Sequence, residues 1–333
     1  MVSTVTTNVG LISLERFSAE TLHDFHYQMT LIRRFEEKVN EMYTRAKIGG
    51  YCHLNVGEEG AIVGSISALT AEDYIYTSYR EHGHAIARGI PPSVVMAELF
   101  GKETGAAHGR GGSMHMFDPK LRFMGGWAIV GGHLPIAVGA AFAIDYQGGS
   151  GVSVCYLGEG ATNIGAFHES LNVAKLWKLP VLFIVVNNLY EMGTPVEKAS
   201  SVPEQYKKAA AYNIPSERVD GMDILAVHDA TQRAMDHIRR EREPVFLEFM
   251  AYRFRGHSVI DPGRYRTEEE VKQWMTRDPI LMLRQRMAAA KLLDDAAIAA
   301  VEQRVETEVQ AAVDFADASP FPDVSTLFDY VYA

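Results

Sequence analysis

A single acid in Gly158-Glu159-Gly160 and an amide pair, Asn187-Asn188, lie about 30 residues apart, each directly after a run of apolar residues, 152–157 (VSVCYL) and 181–186 (VLFIVV). Fully apolar runs of that length read as strands buried on both faces of a parallel sheet. Residues 166–178 between them read as a helix, closed by Pro180. Strand, helix and strand make a βαβ crossover, and ligands of such sheets sit beyond the carboxyl ends of the strands. The spacing therefore aims one carboxylate and one amide oxygen at a shared point. Hard oxygen donors suit Mg²⁺ on a phosphate-bearing ligand. The glycines allow close backbone approach, and the helix start adds partial positive charge for an anion. A dinucleotide fingerprint would need glycine at 163, where Asn163 stands, and there is no Gly-Lys-Ser/Thr of a P-loop.

Other residues of the right type surround this pair in the sequence. Arg80, in Tyr79-Arg-Glu-His-Gly83, can pair two phosphate oxygens with its planar guanidinium. His53, near a channel leading to the site, and His82 are further candidate catalytic residues. His82, His84, His108 and His115 lack the cysteines or the His-Glu-x-x-His spacing of a zinc site, so no zinc is expected.

The elements that must position these residues follow the same rhythm. Ser18 caps a helix with apolar residues at Leu22, Phe25, Met29, Ile32, Phe35 and Val39, which Gly49-Gly50 should stop. Residues 50–135 read as short helices (58–69, 93–100) among loops rich in glycine and histidine. Residues 136–148 read as a small-residue helix, 223–240 as a helix, and 245–250 (VFLEFM) as another buried strand. A polar loop spans 253–266, Thr267 caps a helix, and 280–316 reads as two helices broken near Leu293-Asp-Asp. The aromatic tail from Pro320 is suited to packing on a partner.

The coupling of Gly-acid-Gly to an Asn pair resembles the thiamin-diphosphate motif. The resemblance then widens to the α subunits of heterotetrameric 2-oxoacid dehydrogenase E1 components, of the pyruvate dehydrogenase type. It is carried by Tyr79-Arg-Glu-His-Gly83, Gly111-Gly-Ser-Met-His-Met116, Ile129-Val-Gly131, Glu169-Ser-Leu-Asn172, Leu176-Trp-Lys-Leu-Pro180, Tyr190-Glu-Met-Gly-Thr194, Gly256-His-Ser258 and Asp261-Pro-Gly-Arg-Tyr-Arg266, over about residues 20–320. The resemblance implies an α/β thiamin-diphosphate-binding fold, with a parallel sheet flanked by helices on both faces and helical extensions at both ends. A lead-in at 1–17 would precede a single domain at 18–333, including a helical region at 267–333.

The resemblance also implies roles. Glu159, the side-chain oxygen of Asn188 and the main-chain oxygen of Tyr190 would hold Mg²⁺. Tyr79, Arg80 and His257 would contact the diphosphate, with Gly158 in the same turn and backbone N–H groups from Gly160 and Ala161; His257, a catalytic candidate, would also exchange protons near neutral pH. Ala128 and Val130 would meet the aminopyrimidine through their backbone. The implied partners are a β subunit in an α₂β₂ heterotetramer, a lipoyl-bearing E2 acyltransferase and a small 2-oxo acid. The implied reaction is decarboxylation of that acid and transfer of its acyl group to the lipoyl arm, with no activity in the isolated chain. Ser78-Tyr-Arg, Gly112-Ser-Met-His-Met and Asp261-Pro-Gly-Arg-Tyr-Arg favour pyruvate; acetoin and branched-chain 2-oxoacid relatives are the neighbouring readings, and a non-catalytic assembly paralogue is one of a different class. Two departures stand out. Glu159 occupies a position where most of the family has Asp, and Glu191 follows Tyr190 where small residues are commoner.

Composition bounds the rest. The chain has 333 residues, 47% hydrophobic and 22% charged, the mix of a soluble globular protein. A formal charge of −10 without a basic block disfavours nucleic acid and acidic membranes as partners. The two cysteines, Cys52 and Cys155, form no disulfide framework and no Cys-x-x-Cys motif. The first 17 residues lack a signal-peptide pattern and no apolar run reaches about 18 residues, so a cytoplasmic, bacterial-type protein is expected. Ser258 matches a position that kinases modify in mitochondrial relatives; nothing else in the chain calls for that regulation.

Overall fold

A computed structural model describes residues 12–329 and 331. Most of the expected lead-in, and three residues of the aromatic tail, lie outside the described residues; residues 12–17 hold a short 3₁₀ turn, Leu14–Arg16.

Along the chain, α1 (Ala19–Thr44) and α2 (Glu59–Ile66) precede β1 (Tyr74–Ser78), α3 (His82–Arg88), α4 (Pro92–Leu99) and β2 (Phe123–Trp127). Then come α5 (Leu134–Tyr146), β3 (Ser153–Gly158), a 3₁₀ turn at Glu159–Asn163, α6 (Gly165–Leu176) and β4 (Val181–Asn187). A small hairpin, β5 (Tyr190–Glu191) and β6 (Thr194–Pro195), leads to α7 (Val196–Ala199), β7 (Ser216–Asp220), α8 (Ile224–Glu241) and β8 (Val245–Met250). Three helices close the chain: α9 (Glu268–Met275), α10 (Pro279–Ala289) and α11 (Asp295–Ala318).

Six strands form one sheet in the order β2-β1-β3-β4-β8-β7, with every neighbouring pair parallel. Strand alternation sorts the side chains onto two faces. Val154 and Tyr156 join one core with α1, α2, α4 and α8, while Cys155 and Leu157 join the other with α5 and α6. Helices on both faces explain why β3 and β4 are apolar at nearly every position.

Helix α1 starts where expected, with the Ser18 hydroxyl accepting from the Thr21 N–H at 3.0 Å. Its six apolar positions are all buried, each contributing about 1.5–3 kcal/mol. It ends at Thr44, short of the glycine pair, because Ala46 already turns into positive φ (57°). The larger difference lies in 50–135. There β1 and β2 take one edge of the sheet, where sequence reading gave only helices and loops. β2 reads FMGGW, and its glycines hide it. Gly126 is required there: a Cβ would stand 2.1 Å from the buried Glu81 carboxyl group.

Candidate functional site

Five segments leave the carboxyl ends of β2, β1, β3, β4 and β8, and residues from all five line one pocket: Val130, Tyr79 and Arg80, Glu159 and Ala161, Asn188 and Tyr190, and Arg253 and His257. This is where a parallel sheet binds its ligand.

Glu159 opens the 3₁₀ turn after β3 and is 2% exposed. Its Oε2 accepts the Asn188 N–H at 3.4 Å, while Oε1 is buried without a hydrogen-bond partner in the protein. Burial pushes its pKa up to about 7, against the attraction of Arg253. A buried carboxylate oxygen left over in a pocket suits a cation. Asn188 adds its side-chain oxygen. Its Nδ2 donates to Glu58 Oε1 at 3.0 Å, so the amide is turned with Oδ1 toward the Tyr190 N–H, 3.5 Å away. The linking residue, Leu189, sits at φ 74°, a conformation that β-substituted residues seldom take outside functional turns. The third oxygen of the expected set, Tyr190 O, accepts from Arg253 Nη2 at 3.1 Å.

The cationic side is built from two loops. Arg80 is 7% exposed; Nη1 donates to Leu54 O and Nη2 to His257 O, both at 2.8 Å, and Nε lies 3.8 Å from Glu58 Oε2. Arg253 donates from Nη1 to His257 Nδ1 at 2.9 Å, and its Nε is buried without a partner. An arginine always donates, so His257 must accept at Nδ1 and carry its proton on Nε2, which lies 3.4 Å from the Tyr79 hydroxyl. Burial, then Arg80 and Arg253, push the His257 pKa down to about 3. His257 is thus a neutral N–H donor at neutral pH, where sequence reading expected it to change charge.

The remaining candidates divide. His53 packs 4.5 Å from the Tyr79 ring and 5.2 Å from the His257 ring, and burial pushes its pKa down to about 2. Gly158 lines the pocket, Val130 reaches its edge, and Ala128 precedes it in the segment after β2. His82 is elsewhere. It is fully buried behind the pocket, with Nδ1 3.0 Å from Glu36 Oε2 and Nε2 2.8 Å from Ser113 Oγ. Both ring nitrogens are used in holding α1, α3 and the 111–116 loop together, which leaves none for a substrate. Sequence reasoning missed Glu58 and Arg253. The signal for Arg253 was a second basic residue four positions before His257; for Glu58, none beyond an acid in Gly57-Glu-Glu59.

These residues fit a magnesium-bound diphosphate: the unpartnered Glu159 oxygen and the Asn188 amide offer oxygen ligands, and Arg80, Arg253 and neutral His257 offer N–H donors.

Comparison with known proteins agrees with the geometry. A family model described as dehydrogenase E1 component matches residues 27–325. The pyruvate dehydrogenase E1 component subunit alpha of Porphyra purpurea is 40% identical over 334 residues, covering 98% of this chain and 96% of that protein. The subunit of the same name from Rhizobium meliloti (strain 1021) is 42% identical, with 95% and 91% covered. That from Zymomonas mobilis is 42% identical, with 93% and 88% covered.

Proposed function

The chain belongs to the dehydrogenase E1 component family, and from that premise we propose that it is the α subunit of a pyruvate dehydrogenase E1. Residues 18–333 act as one cofactor-binding domain, and with a β subunit the chain decarboxylates pyruvate and delivers the acetyl group to the lipoyl arm of an E2 acyltransferase. The isolated chain is inactive, because it supplies one half of the cofactor site. A cytoplasmic location goes with this reading. Among the described residues no helix is long and apolar enough to cross a membrane.

The observation that carries the proposal is the convergence of Glu159, Asn188, Arg80, Arg253 and His257 on one pocket at the carboxyl ends of adjacent strands. Thiamin diphosphate, when bound, supplies a carbon nucleophile and an electron sink for decarboxylation. This chain's part is binding and orientation. Glu159, the Asn188 side-chain oxygen and Tyr190 O hold Mg²⁺. Arg80, Arg253 and the Nε2–H of His257 hold the diphosphate, together with the N–H groups of Gly160 and Ala161. The backbone of Ala128 and Val130 meets the aminopyrimidine. A fixed, largely buried cradle keeps the reacting ring in one place, and its contribution is proximity and orientation.

Co-expression with the E1 β subunit tests this. Reduction of an artificial electron acceptor is expected with pyruvate, with lower kcat/KM on 2-oxoisovalerate and on acetoin (which loses acetaldehyde rather than CO₂), and with a requirement for Mg²⁺ and thiamin diphosphate. Preference for either other substrate, or no saturable cofactor binding, overturns it. An extra methylene is excluded by only about 1–3 kcal/mol, so the preference reads as roughly 10–200-fold.

A further inference from the structure

Strand β8 reads VFLEFM, and its one charged residue, Glu248, is fully buried without lining the pocket. A buried carboxylate is costly unless its oxygens are used, and both are. Oε1 accepts from Asn187 Nδ2 at 2.7 Å and Oε2 from the Tyr206 N–H at 3.1 Å, while Arg218 Nε lies 3.8 Å from Oε2. The first contact reaches the turn after β4. A carboxylate only accepts, so the Asn187 amide is fixed with Nδ2 toward Glu248. Its Oδ1 is left to accept the Leu189 N–H at 3.0 Å. Leu189 is the residue at φ 74° between Asn188 and Tyr190, so this bond secures the strained turn that presents their oxygens.

The second contact reaches the turn after β3. Tyr206 follows Gln205 in a 3₁₀ segment, Gln205–Tyr212. Gln205 is fully buried; its Nε2 donates to Val202 O at 3.3 Å and Pro203 O at 2.7 Å, which leaves Oε1 for the Thr162 hydroxyl at 2.6 Å. Thr162 belongs to the turn that Glu159 opens. We propose that Glu248 is a positioning residue for the metal ion, one buried carboxylate that braces both turns supplying Glu159, Asn188 and Tyr190. It touches neither ion nor cofactor and acts through the orientation of Asn187 and the seating of Gln205 and Tyr206. An acid is required, because an amide at 248 has one oxygen for two donors, and its own NH₂ group faces the one it does not serve. If that one is Asn187, the Asn187 amide must reverse and lose the Leu189 N–H. The inference rests on the functional reading above, in that it takes these turns to hold Mg²⁺.

The test uses the full chain co-purified with its E1 β subunit. Mg²⁺ is titrated calorimetrically at saturating thiamin diphosphate, and melting is recorded for each protein. Glu248→Gln is expected to weaken Mg²⁺ binding by about tenfold, the low end of the range for partners that orient metal ligands. Adding Asn187→Asp moves the carboxylate to the other side of the same bond. The amide at 248 then donates to the acid at 187 and accepts the Tyr206 N–H, and the acid still accepts the Leu189 N–H, so every bond is restored. The double variant should recover most of the lost Mg²⁺ affinity. Asn187→Asp alone should bind Mg²⁺ no more tightly than wild type, which separates recovery from a gain by added charge. A double variant as impaired as Glu248→Gln, in affinity or in folding, overturns the proposal. So does tighter binding by Asn187→Asp alone, or a Glu248→Gln variant that melts lower yet keeps its Mg²⁺ affinity, which makes Glu248 a residue of the core only. All three outcomes leave the cofactor site in place. Failure of the wild-type complex to bind Mg²⁺ and thiamin diphosphate at all removes the functional reading, and this inference with it.

Discussion

Glu58 Oε1 accepts a hydrogen bond from Asn188 Nδ2 at 3.0 Å, and because a carboxylate only accepts, it fixes which end of the amide faces the pocket. Glu58 comes from the loop before α2, far from β4 in sequence, and lines the same pocket. A distant acid thus decides that Asn188 presents oxygen rather than nitrogen. Outer partners that orient metal ligands are commonly worth 10–100-fold in affinity. Glu58→Ala is expected to weaken Mg²⁺ binding by about tenfold, read from the Mg²⁺ dependence of thiamin diphosphate binding to the α–β complex. Glu58→Gln, whose carbonyl can still accept from Nδ2, should recover most of it. Equal Mg²⁺ affinity in Glu58→Ala would show that the amide needs no such orientation.

Arg253 touches both halves of the site, donating to Tyr190 O at 3.1 Å and to His257 Nδ1 at 2.9 Å. Its loss removes a cation and also frees His257 to change tautomer. Arg253→Met should weaken pyrophosphate binding in the presence of Mg²⁺ by about 10–100-fold, the range for one charge-assisted contact. Arg253→Lys should recover only part, because an ammonium cannot span both partners as a planar fork does. Calorimetry on the α–β complex distinguishes the three proteins.

His82 makes the opposite kind of prediction. Its ties to Glu36 and Ser113 are buried, and Glu36 Oε1 also accepts from the Asn55 N–H at 3.0 Å. His82→Leu strands a buried carboxylate oxygen and a hydroxyl, costing about 2–4 kcal/mol by the usual penalties for unpaired buried groups. Urea unfolding should show that loss. The folded fraction should keep its Mg²⁺ and thiamin diphosphate affinity, and a selective loss of that affinity in fully stable protein would return His82 to the site.

How much of this the sequence made legible depends on where each residue gets its position. Glu159 and Asn188 were readable because two apolar strands place their ends locally, and β3 and β4 pair in parallel with Ser153 opposite Val181. Arg80 and His257 came from motif resemblance. Glu58 and Arg253 are placed by loops whose course is set by packing across the sheet, so no periodicity marks them. His82 shows the limit of a local motif: Tyr79-Arg-Glu-His-Gly names residues on both sides of a helix start. Tyr79 and Arg80 face the pocket, while Glu81 and His82 turn into the core. Strand β2 was hidden because Gly126 yields its side-chain space to Glu81.

The buried histidines give the protein a definite acid limit. His133 Nε2 donates to Tyr156 O at 2.8 Å, and its Nδ1 is buried without a partner. Burial pushes its pKa from 6.5 down to about 4, and that of His84 down to about 3. A histidine of this kind is neutral when folded and takes a proton on unfolding, so the unfolded chain binds more protons below pH 6.5. Stability is therefore complete above about pH 6.5 and falls as the pH drops from there toward 4. For His133 alone the loss between pH 7 and 5 is about 2 kcal/mol. His133→Gln can still donate to Tyr156 O but does not titrate. Its stability at pH 7 should be lower than that of wild type, from imperfect packing, and its fall between pH 7 and 5 should be shallower by about 2 kcal/mol. Urea denaturation at the two pH values measures both, and parallel pH profiles in the two proteins would show that His133 carries no charge difference between folded and unfolded states.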